Sequence, residues 1–305
     1  MGTYSLIAIL LYLASSSSWA AACCGGGASL PSLITGDNRA QVVLSGSNAA
    51  ITHDVNPQGE IAKRRENNQE VIETLSLSAA YLVSPLWQIG LTLPVKMNTH
   101  RNSFREESSA GLGDIKARVA YEFLPEYGYS KWKPRGYIYL EQSFAHSTST
   151  YEAQKPLRSD SLGNGFSTTA LGFSFVKIIS NLDFLLMSEL HLPFKNEFQQ
   201  ENDSITVRPS LGGSFLLGAG ISPWNGDIRF GGTLLYSREG SREISGPIDS
   251  VSEKVYFWEG GINVSYLMDS YSLNLFYKDQ SFFAKAKNTT LSKIIGLSFI
   301  KFFEL

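Results

Sequence analysis

The chain has 305 residues, a formal net charge of −2 and a pI near 6.1, which excludes a basic nucleic-acid-binding surface as its organising feature. With 14 Tyr, 18 Phe and 27 Gly, the composition favours strands and turns over a helical domain.

Residues 1–22, MGTYSLIAILLYLASSSSWAAA, carry an apolar core from Leu6 to Ala14 and small residues leading to an A-x-A-like site at Ala20–Ala22. The core is too short to span a bilayer as a helix and reads as an export signal, although no Lys or Arg precedes it. Cys23 and Cys24 follow and are the only cysteines. Neighbouring cysteines rarely bridge each other. Cys23 is a candidate for lipidation, with Ala20 standing where lipoproteins usually carry Leu; an intermolecular disulfide or two unpaired thiols are the alternatives. Residues 23–38, opening CCGGG, read as a flexible periplasmic lead-in, and residues 39–305 as the folded body.

Within that body one pattern recurs. In LSLSAAYLV, Leu75, Leu77, Tyr81 and Val83 alternate with Ser76, Ser78 and Ala80; after the SPL break, Trp87, Ile89, Leu91, Leu93, Val95 and Met97 alternate with Gln88, Gly90, Thr92 and Lys96. Alternation places successive side chains on opposite faces of a strand, and a break this short admits only an antiparallel hairpin. The pattern begins at AQVVLSGSNAAITHDV and continues through GLGDIKARVAYEFL, RGYIYLEQSFAH, FSTTALGFSFVKI and LDFLLMSELHLPF. It then runs through ITVRPSLGGSFLLGAGI (Ile205 to Ile221 in step), DIRFGGTLLYSR, KVYFWEGGINVSYLM, SYSLNLFYK and SKIIGLSFIKFFEL. About twelve strands of membrane-crossing length result.

Connections near 84–86, 179–181, 222–226 and 268–270 are tight, whereas those near 56–68, 99–110, 147–163, 196–204, 238–252 and 279–290 are long and polar. Sorted loop lengths with an even strand count predict an all-β fold: a transmembrane antiparallel up-and-down barrel of the bacterial outer-membrane type, its greasy faces toward lipid. Both termini then share the short-turn rim, on the periplasmic side. Aromatic residues support two interfacial girdles: Tyr81, Trp87, Tyr121, Trp224, Tyr266 and Tyr271 near the short turns, and Tyr236, Tyr256, Trp258 and Tyr277 toward the long loops. Pro94 and Pro193, in the words LTLPVK and LHLPFK, mark places where a strand leaves regular pairing.

The inward set expected to line the lumen is Lys96, Asp114, Lys116, Arg118, Glu122, Glu141, Asp183, Glu189, His191, Arg208, Asp227, Arg229 and Glu259. Both signs are present, which fits a network of lumen ion pairs, a narrow water-filled passage, or both. His53, His100, His146 and His191 fall toward the long-loop rim without a nucleophile motif, so no catalytic role is expected. No metal-spaced Cys/His cluster is present, and GLGDIK lacks the spacing of a nucleotide loop, so no cofactor is expected. The sequons at Asn202, Asn263 and Asn288 read as chance.

The word WQIGLTLPVKMN, a polar loop and then GLGDIKARVAYEFL resemble the outer-membrane barrels of the meta-pathway of phenol degradation, a transporter-like family, over residues 87–124. The resemblance implies passage of small solutes, hydrophobic or aromatic ones among them, and carries over no binding residue. Departures are the CCGGG lead-in and a terminal Leu305 where many bacterial barrels end in Phe. The alternative reading is a structural or surface-interaction barrel with a plugged lumen and partner-binding loops. Expected partners are outer-membrane lipid and lipopolysaccharide, the barrel-assembly machinery and a small solute of unknown identity.

Overall fold

The computed structural model describes residues 32–200, 203–223 and 226–304; the export signal, Cys23 and Trp224 lie outside the described residues. The strands among these residues are β1 (Ala40–Val55), β2 (Ile61–Lys63), β3 (Gln69–Leu82), β4 (Trp87–Arg101), β5 (Glu106–Leu112), β6 (Ile115–Leu124) and β7 (Arg135–Phe144). Next come β8 (Thr168–Ile179), β9 (Leu182–Pro193), β10 (Asn196–Gln200), β11 (Asp203–Pro209), β12 (Gly212–Ile221) and β13 (Ile228–Glu239). The chain ends in β14 (Arg242–Ser245), β15 (Ser250–Ser252), β16 (Val255–Met268), β17 (Tyr271–Asp279), β18 (Ala286–Lys287) and β19 (Thr289–Phe303).

Twelve of them form the wall in the order β1, β3, β4, β6, β7, β8, β9, β12, β13, β16, β17, β19, and antiparallel pairing of β19 with β1 (Ala40 opposite Phe303) closes the ring. Closure leaves the wall no free edge. The first and last strand ends meet on the rim that carries the short turns, where Arg39 N donates to Phe303 O at 2.9 Å. In the two-residue turn between β8 and β9, Ser180 takes φ 56°, the left-handed conformation a tight hairpin demands. The longer turn between β6 and β7 is braced by Glu126, which accepts from Lys177 Nζ at 2.7 Å and from Ser130 N at 2.8 Å. Burial alone would raise the Glu126 carboxyl, but these bonds hold it below the usual carboxylate range.

Alternation holds on every wall strand. Leu75, Leu77, Trp87, Ile89, Leu91, Val119, Leu140, Phe173, Phe184, Phe230, Val264, Leu275 and Phe299 are exposed, while their inward neighbours such as Ser78, Ala80, Gln88, Ser174, Asn274 and Ser298 are buried. A soluble domain would hide this continuous apolar belt; here it is the lipid-facing surface. The girdle residues Tyr81, Trp87, Tyr266, Tyr271 and Tyr277 are exposed on the outer face, and rings pair across strands: Trp87 with Tyr121 at 4.8 Å and Tyr236 with Trp258 at 5.0 Å.

The prolines fall where pairing changes. β4 pairs β6 from Trp87 to Thr92 and β5 from Val95 to Arg101, so Pro94 sits at the switch, and its carbonyl accepts from Gly113 N at 2.8 Å. Pro193 is the last residue of β9.

Two expectations are corrected at the long-loop rim. The apolar run from Ile205 to Ile221 is not one strand: it breaks at Ser210–Leu211, and β11 joins β10, β14 and β15 in a separate four-stranded sheet above the wall. Ile205 and Val207 keep their alternation but bury it against Phe166 and Phe198, with Tyr151 stacked on Phe198 at 4.9 Å. GLGDIK is also interrupted, since β5 ends at Leu112 and β6 begins at Ile115. The small core predicts that Phe198→Ala, worth about 3–5 kcal/mol for a buried Phe, loosens the sheet locally. Limited proteolysis should then cut this sheet faster while the barrel keeps its heat-dependent gel migration; equal cutting rates would show that the core does not hold the sheet.

Candidate functional site

Within the ring, inward side chains meet across neighbouring strands. Arg118 on β6 reaches Glu141 on β7 through Nη2 (2.5 Å) and Nε (3.0 Å), and Lys116 joins the same carboxylate at 3.1 Å. The Arg118 guanidinium lies over the Tyr139 ring at 4.5 Å, and Tyr139 OH donates to Glu189 at 2.8 Å. Glu189 also accepts from Ser214 Oγ at 3.2 Å and faces His191 Nε2 at 3.4 Å, while His191 Nδ1 faces Glu239 at 2.7 Å. Five strands, β6, β7, β9, β12 and β13, thus share one charged belt that passes over β8, a geometry in which a buried charge keeps its partner.

Separate clusters lie elsewhere in the lumen. Arg229 on β13 forms a bidentate pair with Asp183 on β9 at 2.6 and 2.7 Å, across β12. Asn263 Oδ1, in the orientation that satisfies both atoms of its amide, accepts from Arg229 Nη1 at 2.9 Å. Glu122 faces Arg135 at 3.2 Å, and Arg135 also meets Asp37 at 2.9 Å near the short-turn rim. Glu259 is joined by Lys278 at 3.5 Å and Gln280 at 3.1 Å. Lys96 is half-buried beside Gly113. Asp114 fastens the 145–167 loop over the long-loop mouth by accepting from Ser147 Oγ at 2.6 Å and Asn164 N at 3.0 Å.

Two residues of the expected lumen set lie elsewhere. Arg208 is exposed on β11, opposite Glu243 in the separate sheet, because the chain has left the wall before reaching it. Asp227 is exposed in the turn before β13, where its carbonyl accepts from Leu267 N at 2.7 Å. Local alternation assigned both; neither is in a wall strand.

Residues 32–35, part of the segment expected to be a flexible lead-in, instead enter the barrel from the short-turn rim. Ile34 N donates to Gln88 Oε1 at 2.6 Å and Gln88 Nε2 donates back to Ile34 O at 3.1 Å. Gln41 Nε2 donates to Leu33 O at 3.0 Å, and Arg135 Nη1 to Thr35 O at 3.1 Å. Ile34 N and the carbonyls of Leu33, Ile34 and Thr35 thus find side chains of the wall in place of a strand neighbour, which is how irregular backbone survives inside a barrel. Leu33 is 1% exposed and packs with Ala120, Tyr137, Tyr139, Val176, Leu185 and Met187. Gly90 makes room for the segment: a Cβ there would lie 2.4 Å from Ser32 O.

This apolar half of the lumen has a sequence signal, since RGYIYL and DFLLM are apolar on both faces of their strands, the pattern of strands covered on both sides. Nothing local in SLIT points to its docking partner.

No family model matches the chain, and no curated protein matches its sequence. Solved structures do match. An outer membrane channel from Pseudomonas putida F1 superposes with a TM-score of 0.71 at 9% identity, covering 88% of this chain and 97% of that one. The transport unit of the autotransporter AIDA-I from Escherichia coli gives 0.51 at 9% identity, covering 95% and 97%. Identity this low speaks for the fold and nothing finer. The chain has the fold of an outer-membrane antiparallel β-barrel of twelve wall strands.

Proposed function

We propose that the protein passes small solutes across the outer membrane and that residues 32–35 close its periplasmic end. The observation that carries this reading is the segment itself. Residues 32–35 are held in the lumen by a few side-chain hydrogen bonds and by the buried Leu33 and Ile34, contacts few enough for the segment to be released. The long loops face outward and both termini face the periplasm, as the sorting of loop lengths supports. The apolar surface around Leu33, Tyr137, Leu185 and Met187, next to the charged belt, suits solutes with a hydrophobic or aromatic body and a polar end. The structural neighbour from Pseudomonas putida, itself described as a channel, is consistent with this reading. β19 ends the barrel with outward Phe299 and Phe303 and is the segment the assembly machinery would engage.

Planar-bilayer recording tests the proposal. Folded protein should give small conductance steps. Lys116→Glu, which reverses the charge of the most water-exposed member of the belt, should shift ion preference toward cations several-fold. Silence from folded protein, including variants that displace residues 32–35, would overturn it. The outcome would then favour a surface-interaction barrel acting through the four-stranded sheet, the reading that the sheet's own core supports.

A further inference from the structure

On the outer wall at the long-loop rim, two clefts adjoin. One, about 570 Å³, is lined by apolar side chains that include Leu192, Pro193, Phe194 and Leu211. The other, about 470 Å³, is lined by Leu211 again and by Arg238, Ser241 and Lys254. Because Ser210 and Leu211 belong to both, a single molecule can occupy them together. Leu192, Phe194 and Leu211 are exposed, on the side of the wall that carries the lipid-facing belt.

Several Lys and Arg side chains near this rim have a carboxylate partner: Lys287 has Glu253 at 3.2 Å, Lys278 has Glu259 at 3.5 Å, Lys293 has Asp279 at 3.5 Å and Arg101 has Glu106 at 3.7 Å. What sets Arg238 and Lys254 apart is that they line the second cleft, where it meets the apolar one. Among the described residues Arg238 and Lys254 are exposed and form no ion pair. Glu253 also borders the second cleft, but Lys287 already takes its charge. Arg238 follows Tyr236 along the outer face of β13 and stands opposite Tyr256 on β16, so the free charge sits just beyond the aromatic band. Aromatic rings of that band occupy the headgroup level of a bilayer. Two unpaired cations at that level, beside an apolar cleft, complement an anionic headgroup whose chain lies along the wall.

We propose that this surface binds a phosphorylated lipid of the outer leaflet, with its phosphate on Arg238 and Lys254 and an acyl chain against Leu192, Phe194 and Leu211. The site rests on the outward placement of the long loops and not on solute passage. A free phosphate would leave the apolar cleft unused, which is why the lipid is the occupant.

Native mass spectrometry of the folded protein in non-ionic detergent, titrated with bis-phosphorylated lipid A, reads the site directly. The wild type should carry a lipid adduct that tenfold excess inorganic phosphate does not displace. Arg238→Ala combined with Lys254→Ala should weaken the adduct at least tenfold, and Leu211→Asp should also weaken it. Lys285→Ala, an exposed loop cation away from both clefts, should leave it unchanged. Heat-dependent gel migration confirms that each variant is folded. Wild-type adduct in the double variant, equal loss in Lys285→Ala, or displacement by inorganic phosphate would each overturn the proposal. Lipid binding by a protein that conducts nothing would overturn the channel reading and leave this site standing.

Discussion

Replacing Gly90 by valine is expected to expel residues 32–35 from the barrel and raise single-channel conductance several-fold. Gly90 lies on the inner face of β4, opposite Ala80 and Arg118 on the neighbouring strands. A Cβ placed there would come within 2.4 Å of Ser32 O and 2.9 Å of Ser32 Cβ, distances that real contacts do not reach, and valine adds two further methyl groups. The wall tolerates the change, because valine favours strands and its backbone bonds are unaffected. The inserted segment has no such latitude. Moving Ser32 pulls Ile34 away from Gln88 and Leu33 out of its apolar pocket, where burial is worth about 1.5–3 kcal/mol and each hydrogen bond about 0.5–1.5 kcal/mol. Gly46→Ala serves as the matched control, since a Cβ there meets nothing within 4 Å. If folded Gly90→Val conducts no better than Gly46→Ala, residues 32–35 are not the closure.

The second large effect is expected at Arg229 and Asp183. Arg229 is 1% exposed, the tightest-buried charge among the described residues, and its guanidinium lies where Gly220 and Gly231 leave space; a Cβ at Gly220 would fall 2.2 Å from Nη2. Asp183→Asn or Arg229→Ala leaves one charge buried without its partner and should cost about 3–5 kcal/mol. Joint replacement by Asp183→Leu and Arg229→Met leaves no orphan charge and should cost clearly less. Urea titration of the barrel in lipid vesicles, followed by loss of the fast-migrating gel band, measures both. Additive losses, with the double replacement as damaging as the two single ones summed, would show that the pair is not coupled.

Alternation gave the wall away in advance for a physical reason. A strand turns its side chains over every second residue whatever it pairs with, so Leu75, Leu77, Ile89 and Val119 announce a lipid-facing side before any partner is known. The same rule placed Arg118, Glu141, Asp183, Glu189, His191, Arg229 and Glu259 on the inner side. It failed for Arg208 and Asp227, because the period continues wherever the chain is extended, including in a sheet that sits above the barrel and in a turn.

Partners inside the ring are another matter. Asp183 and Arg229 meet because β12 pairs with β9 on one side and β13 on the other and their side chains reach across it, a contact no local pattern within either strand encodes. Leu33 and Ile34 are a short apolar word among Gly and Ser; their burial depends on Gln88, Gln41 and Gly90 arriving from strands that follow later in the chain. The sequence by itself determined the wall strands, most of their faces, their number of about twelve and the sorting of short turns from long loops, all properties of backbone geometry and local hydropathy. Only the tertiary structure decided what fills the lumen, which charges pair and where the clefts lie, because those contacts exist only after distant strands are brought side by side.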